Sequence, residues 1–380
     1  MTASARFFES SATPWHAIAA TTAAVPAQSG RAAAHAAPTL RAGLPRRRAF
    51  GRPRILVVGC GDIGLRCAAL LRERFRVFAL TSQPARAASL RAAGLVPLVG
   101  DLDDQRSLAR AARVARDLLH FAPPQAHGTT DRRTRTLLAA LGGQRGVRRA
   151  ASAPRIVTHR AAGMHATAAS AIVPERPRRF AAFAGPYRPA AARIVYMSTT
   201  GVYGDCGGAL IDETRPVRPV NARALRRVSA ERQLRRAGSC GAARVTILRA
   251  PGIYAAGRLP LERLRRGTPA LCDVDDVYTG HIHADDLAAI VVRALAHGRP
   301  QRVVHAVDDT HWKMGEYFDR IAHACALPAV PRITRGQAEA TLDATLLSFM
   351  RESRRLENRR LRDELAVRLR YPSVEHFLRE

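Results

Sequence analysis

Short, nearly unbroken apolar runs alternate along this chain with longer stretches whose apolar residues recur at helical spacing. The run Arg54-Ile55-Leu56-Val57-Val58 predicts a strand buried on both faces. Leu65 to Arg74 then predicts a helix, Arg76-Val77-Phe78-Ala79-Leu80 a second strand, and Pro84 to Ala93 a second helix with proline in its first turn. Val96 to Val99 predicts a third strand, Leu118-Leu119-His120-Phe121 a fourth, Arg193 to Met197 a fifth and Val245-Thr246-Ile247-Leu248 a sixth. Helical spacing returns between them at Asp131 to Leu141 and Arg223 to Arg236. This alternation predicts an α/β fold, a doubly wound parallel sheet with helices on both faces. From about Leu259 the elements become short and mixed, which suits a smaller C-terminal substrate lobe with some elements returning to the sheet.

Two segments break the alternation. Residues 1–52 are rich in Ala, Ser, Thr and Arg, hold Glu9 as their only acid and close on Pro45-Arg46-Arg47-Arg48. They have no continuous apolar stretch of the secretory kind, so they read as a disordered extension outside the fold. A low-complexity Ala- and Arg-rich segment at about 145–192, with Glu175 as its only acid, separates the fourth strand and its helix from the fifth strand, where such folds use a few residues. It reads as a surface insertion. The expected organisation is therefore the extension 1–52, a dinucleotide-binding domain 53–258 carrying the insertion, and the C-terminal lobe 259–380.

The first strand runs directly into Gly59-Cys60-Gly61-Asp62-Ile63-Gly64 and then a helix, the setting in which Gly-x-Gly-x-x-Gly cradles a dinucleotide. Gly59 allows the tight turn, Gly61 lets the backbone approach a pyrophosphate, and Gly64 lets the helix pack close to the strand. The helix N-terminus then offers free N–H groups to an anion. Leu80, at the end of the second strand, is followed by Thr81, Ser82 and, nearby, Arg86, with no carboxylate to bind a ribose 2′-OH. Hydroxyls and a guanidinium suit a 2′-phosphate, so NADP is preferred over NAD.

Composition narrows the partners. The chain has 380 residues, with 61 Lys+Arg against 31 Asp+Glu and a formal charge of +30, which points toward nucleic acid or an anionic surface. Lys313 is the only lysine, however, so the charge is an arginine bias of the whole sequence, and aromatics at 5% are too few for a base-stacking surface. Nucleic acid is thereby disfavoured, the rival being a basic docking module built on the two odd segments. No apolar run approaches the ~18 residues of a membrane helix. Six scattered cysteines without C-x-x-C pairs read as free thiols of a reducing cytoplasm.

Ligands of such sheets bind beyond the carboxyl ends of the strands. There the chain carries Gly100-Asp101-Leu102, then Ser198-Thr199-Thr200-Gly201-Val202-Tyr203-Gly204, Arg249-Ala250-Pro251-Gly252-Ile253-Tyr254, and His281-Ile282-His283-Ala284-Asp285-Asp286-Leu287. In that order these motifs resemble the extended short-chain dehydrogenase/reductase superfamily, its NAD-dependent epimerase/dehydratase group, from about residue 54 to the C-terminus with the insertion excluded. The resemblance implies an NAD(P)-binding Rossmann fold. It implies that Asp101 and Leu102 border the adenine, that Thr199 occupies the catalytic Ser/Thr position, and that Glu213 and Asp285 belong to the site wall.

One departure stands out. The family's Tyr-x-x-x-Lys, eight and four residues before a glutamate, falls on Arg223 and Arg227 when counted back from Glu231. Arginine stays protonated at working pH and cannot do the work of a phenol. The chain is in this respect similar to the atypical branch of the superfamily, which lacks that pair. Thr199 and Tyr203 are then the catalytic candidates, although a ring packed beneath its loop is the plainer role for Tyr203. For His281 and His283 a structural role in a turn is expected. Two functions follow: an NAD(P)-dependent oxidoreductase or epimerase-like enzyme with a non-standard acid/base and a small-molecule substrate, or a non-catalytic NAD(P)-binding sensor or scaffold. A homodimer is the candidate assembly.

Overall fold

The computed structural model describes residues 51–151, 191–241 and 243–380. Within it seven parallel strands form the central sheet: β1 (Arg54–Val58), β2 (Arg76–Thr81), β3 (Val96–Val99), β4 (Asp117–His120), β5 (Ala192–Thr199), β6 (Ala243–Ala250) and β7 (Arg302–His305). They lie in the order β7-β6-β5-β4-β1-β2-β3, so the chain reverses its direction of winding at β1 and β4, beside the glycine turn.

The sheet is doubly covered, which is why its strands read as continuous apolar runs. Ile55 and Val57 of β1 point into one layer, packed with Cys67, Ala68 and Leu71 of α1 (Asp62–Leu71), while Leu56 and Val58 point into the other. The first layer is completed by Leu287, Ile290 and Val291 of a helix far along the chain, Ala284–His297. The second is built by Leu108, Leu137, Ala230 and Leu234, from the helices Gln105–Val114, Arg132–Ala151 and Ala222–Ser239. At the sheet edge, β3 is half-exposed and contains Pro97, which an edge strand tolerates.

The first six strands stand where the apolar runs predict them. α1 begins three residues before Leu65, and the second helix opens with a 3-10 turn, Pro84–Arg86, before Ala87–Ala92. The helix expected to end at Leu141 continues to Ala151, into the first residues assigned to the insertion. β7 was not foreseen: Val303 and Val304 are its only buried aliphatics, too short a run to register, and His305 is held by polar contacts. The expected extension, apart from residues 51 and 52, and residues 152–190 of the expected insertion lie outside the described residues.

A third apolar cluster joins Tyr254, Leu264, Leu271 and Val277 to Met314, Tyr317, Phe318 and Ile321 of the helix Met314–Ala324. It is trimmed by two-stranded parallel pairs, Gly252–Tyr254 with His281–His283 and Ala270–Leu271 with Arg332–Ile333, while a further parallel pair, Leu210–Ile211 with Arg355–Leu356, packs in a fourth cluster with Val202 and Tyr203. The last of these carries a C-terminal segment to the carboxyl end of β5.

Candidate dinucleotide cradle and adjoining site

The three glycines of the turn meet three different surroundings. Gly59 has φ +85°, and a Cβ there would lie 2.4 Å from the backbone nitrogen of Ala122, so only glycine lets the loop after β4 pass this close. A Cβ on Gly64 would sit 3.1 Å from the Gly59 carbonyl oxygen, which sets the close packing of α1 on its strand. A Cβ on Gly61 would meet nothing within 4 Å. Gly61 is also the N-cap of α1, and among the described residues no side chain caps it, which leaves the first amides of the helix without a side-chain cap. Open space and uncapped amides together fit a pyrophosphate. Ile63, half-buried, packs back onto the first apolar layer.

A charged rim borders the opening. Asp62 in the first turn of α1 takes Arg66 Nε at 2.8 Å and Arg258 Nη1 at 3.0 Å, and Arg66 also reaches Asp285. Burial would raise the Asp62 carboxyl, but hydrogen bonds from the two guanidiniums outweigh it and hold the group below its usual value. The carboxylate is thus neutralised where an anion must approach. Asp285, which the resemblance placed in the site wall, meets Arg66 on this rim; the sequence offered no signal for Arg258.

Beyond β2, Thr81 is buried and turns the chain through its Oγ1, which accepts from the Gln83 amide at 3.2 Å, while Ser82 is exposed. Arg86 folds back, its Nη2 donating to the Cys60 carbonyl at 2.8 Å, so this guanidinium lies against the glycine turn. Beyond β3, Asp101 is exposed and its Oδ1 accepts from the Asp103 amide at 2.9 Å, whereas Leu102 is buried among Leu80, Leu108 and Leu118. These residues share one end of the sheet with the turn.

At the end of β5, Thr199 is half-buried and caps the 3-10 turn Thr200–Tyr203, accepting from the Gly201 amide at 3.3 Å. Tyr203 points inward. Its hydroxyl takes Arg249 Nη1 at 2.7 Å and bonds His305 Nε2 at 2.5 Å, and burial pushes the phenol up to about 12 although Arg249 pulls it down. Arg249 forks onto Glu231, with Nε at 3.1 Å and Nη2 at 2.7 Å, and Glu231 also accepts from Ser198 Oγ at 2.6 Å. Glu213 accepts the His305 amide at 2.9 Å. This chain clamps β5, β6 and β7 together at their carboxyl ends; of its members the motifs suggested Tyr203 and Glu213, but not the role of Glu231 or His305.

The two arginines that replace the expected tyrosine and lysine lie on the helix Ala222–Ser239. Arg227 Nη1 donates to the Met197 carbonyl at 2.8 Å and to the fully buried Tyr196 hydroxyl at 3.1 Å. Arg223 stacks its guanidinium 5.1 Å above the Phe349 ring. His281 and His283 form a short extended pair, which brings them onto one side of that strand. Both are buried: His281 stacks on Tyr317 at 3.6 Å, and His283 Nδ1 caps the following helix through the Asp285 amide at 3.2 Å. Lys313 binds Asp273 at 2.8 Å, away from these groups.

No group of metal-ligating residues occurs among the described residues, and no helix among them is long and apolar enough to cross a membrane. A cleft of about 470 Å³ lined by Arg54, Arg76 and Val96 lies at the amino ends of the first strands, and another of about 470 Å³ abuts the clamp, lined by Glu213, Glu231, Arg249, Arg302 and Arg360.

Residues 55–306 match the model of the NAD dependent epimerase/dehydratase family, and the chain belongs to that family. Among solved structures, a conserved protein of unknown function from Silicibacter pomeroyi is 26% identical with TM-score 0.64, covering 86% of this chain and 97% of its own. A dTDP-glucose 4,6-dehydratase from Bacillus anthracis, in complex with NAD, is 14% identical with TM-score 0.61, over 86% of this chain and 94% of its own. UDP-glucose 4-epimerase from Thermotoga maritima is 16% identical with TM-score 0.59, over 86% and 96%. At those last two identities the likeness is one of fold. No curated protein matches the chain in sequence.

Proposed function

With family membership as the premise, we propose that the chain is an NADP-preferring oxidoreductase or epimerase-like enzyme of the atypical short-chain dehydrogenase/reductase type, acting without Tyr-x-x-x-Lys on a small-molecule substrate. The observation that carries it is the uncapped α1 N-terminus opening onto free space at Gly61, on the same sheet end as Thr199. Gly59, Gly61 and Gly64 would admit the pyrophosphate and the first amides of α1 would bind it. Arg86, with Thr81 and Ser82, would hold the 2′-phosphate, and Asp101 and Leu102 would border the adenine. The bound nicotinamide would supply hydride transfer.

The protein's own part is orientation and proton handling. Thr199 is our candidate for a polar contact to the reacting group, its hydroxyl free to donate because the Gly201 amide uses only its lone pair. Tyr203 is a weaker candidate, since its hydroxyl is already engaged by Arg249 and His305. The lobe from residue 259 onward would close over the substrate, the protein acting in a reducing cytoplasm and as a homodimer. The arginines at 223 and 227 favour a second reading, an NADP-occupied sensor without turnover.

Fluorescence titration with NADPH and NADH tests the cofactor reading. Arg86→Glu is expected to weaken NADPH far more than NADH, by about the 1.5–3 kcal/mol of a hydrogen bond to a charged group. Equal losses would reduce Arg86 to a loop tether. Tight NADPH binding, with no oxidation or reduction across a carbonyl and nucleotide-sugar screen, would select the sensor.

A further inference from the structure

The second apolar layer changes character at the edge of the sheet. The helix Ala222–Ser239 buries Ala230 and Leu234 over the inner strands, yet beside the edge strand β7 it turns Glu231, Arg232 and Arg235 toward the cleft of about 470 Å³ that abuts the clamp. Six arginines and two glutamates line this cleft, and three of the arginines are already matched. Arg249 forks onto Glu231, Arg302 pairs with Glu364, and Arg360 reaches Glu213 at 3.3 Å. Both lining glutamates are thereby used. Arg215, Arg232 and Arg235 make no hydrogen bond, ion pair or ring contact with any described residue, so three guanidiniums share one concavity with no lining carboxylate left to neutralise them. Like charges gathered in a cleft focus a positive potential that draws anions. The floor is rigid: Arg249 is buried and tied to Tyr203 at 2.7 Å, and Val303 of β7 is buried beside it. Gln301 adds a polar wall at φ +59°, a left-handed backbone rare outside glycine, with its Oε1 buried and unpartnered among the described residues.

We propose that this cleft is a binding site for a small phosphorylated anion, separate from the dinucleotide cradle and independent of the cofactor reading. Three strands lie between β7 and β1 in the sheet, and four spacings of about 4.8 Å set the two sites roughly 19 Å apart. The volume is that of a small-molecule site, and no aromatic ring lines it for a nucleic-acid base to stack on. Arg232 and Arg235 approach from the helix and Arg215 from the loop that follows Leu210–Ile211. Guanidiniums arriving from two elements suit the peripheral oxygens of a phosphate, which point in three directions, better than the coplanar pair of a carboxylate.

Arg232→Gln combined with Arg235→Gln is the discriminating variant. Both side chains are exposed and without partners, so the fold and the clamp are left intact, which an unchanged melting temperature confirms. Pyrophosphate and citrate are titrated calorimetrically, at low ionic strength, into the full chain carrying Gly61→Asp, which keeps uptake at the glycine cradle out of the measurement. The expected result is uptake of pyrophosphate, with Kd raised about tenfold or more by the double substitution and raised again by added salt. Citrate should bind several-fold more weakly. In the wild-type background the double substitution should leave NADPH affinity within about twofold, the two sites being far apart. No uptake of pyrophosphate, equal affinity with and without the double substitution, or citrate bound as tightly as pyrophosphate overturns the proposal. A single-stranded oligonucleotide that displaces pyrophosphate would give the cleft to nucleic acid and overturn it too. Failure of the wild-type chain to bind NADPH, read in its own titration, overturns the cofactor reading instead.

Discussion

Gly61→Asp separates binding from folding at the cradle. With φ −85° and ψ −153°, Gly61 has a backbone that an L-residue adopts, and a new side chain would touch nothing within 4 Å. α1 lacks a side-chain cap, and aspartate at the N-cap would supply one, so stability should be unchanged or raised by roughly a few tenths of a kcal/mol. Binding should suffer twice, since the new carboxylate takes amides the pyrophosphate needs and repels it. Two like charges about 4 Å apart at an effective dielectric of about 20 repel by about 4 kcal/mol, roughly a 10³-fold loss of affinity. Screening by Arg66 and Arg258 reduces this, and about tenfold is the least expected. Gly59→Ala is the contrast: a left-handed φ costs about 1–2 kcal/mol, and contacts of 2.4–2.8 Å with the backbone of Phe121 and Ala122 add to it. Calorimetric melting and NADPH fluorescence titration read the two effects. Wild-type affinity in Gly61→Asp, or a fall in melting temperature like that of Gly59→Ala, would refute the open-cradle argument.

The clamp at the strand ends gives a stability prediction. Glu231→Gln leaves Arg249 buried without its charge partner and should cost about 3–5 kcal/mol, whereas Glu231→Leu with Arg249→Met should cost clearly less; urea unfolding of the three proteins decides. Acid sensitivity follows from buried groups. Burial pushes His120 and His281 down to about 3 and His305 to about 4, so each stays neutral when folded, and its contribution is lost as pH falls below 6.5. Burial pushes Asp308 up to about 8, which works the other way, its contribution falling as pH rises from 3.8 to 8. Net of these four, stability should rise by about 2 kcal/mol per pH unit between pH 5 and 6 and peak between about pH 6.5 and 7. A flat melting temperature from pH 5 to 6.5 would contradict the burial of these histidines.

Much of the sheet was legible because burial on both faces forces apolar runs: Ile55 to Val58, Val77 to Leu80 and Val245 to Leu248 could only be interior strands. The glycine turn was legible too, since glycines at 59, 61 and 64 answer to backbone geometry, which is local. What happens between distant segments was not. Nothing near Val303 and Val304 declares that they complete the sheet, because β7 is held by Glu213 and Tyr203, about a hundred residues earlier. Tyr203 read as a packed ring sooner than as a catalytic phenol, and only the fold shows Arg249 and His305 engaging its hydroxyl. Glu352 carried no signal, for a lone carboxylate in an arginine-rich tail looks like solvated charge until it is found buried against Arg354, which is tied to the Gly204 carbonyl. The sequence by itself determined the first six strands of the sheet and the glycine turn, whose causes lie within a few residues. Only the tertiary structure decided which polar groups meet, because a buried charge persists only where distant partners compensate it, and those partners come from the whole chain.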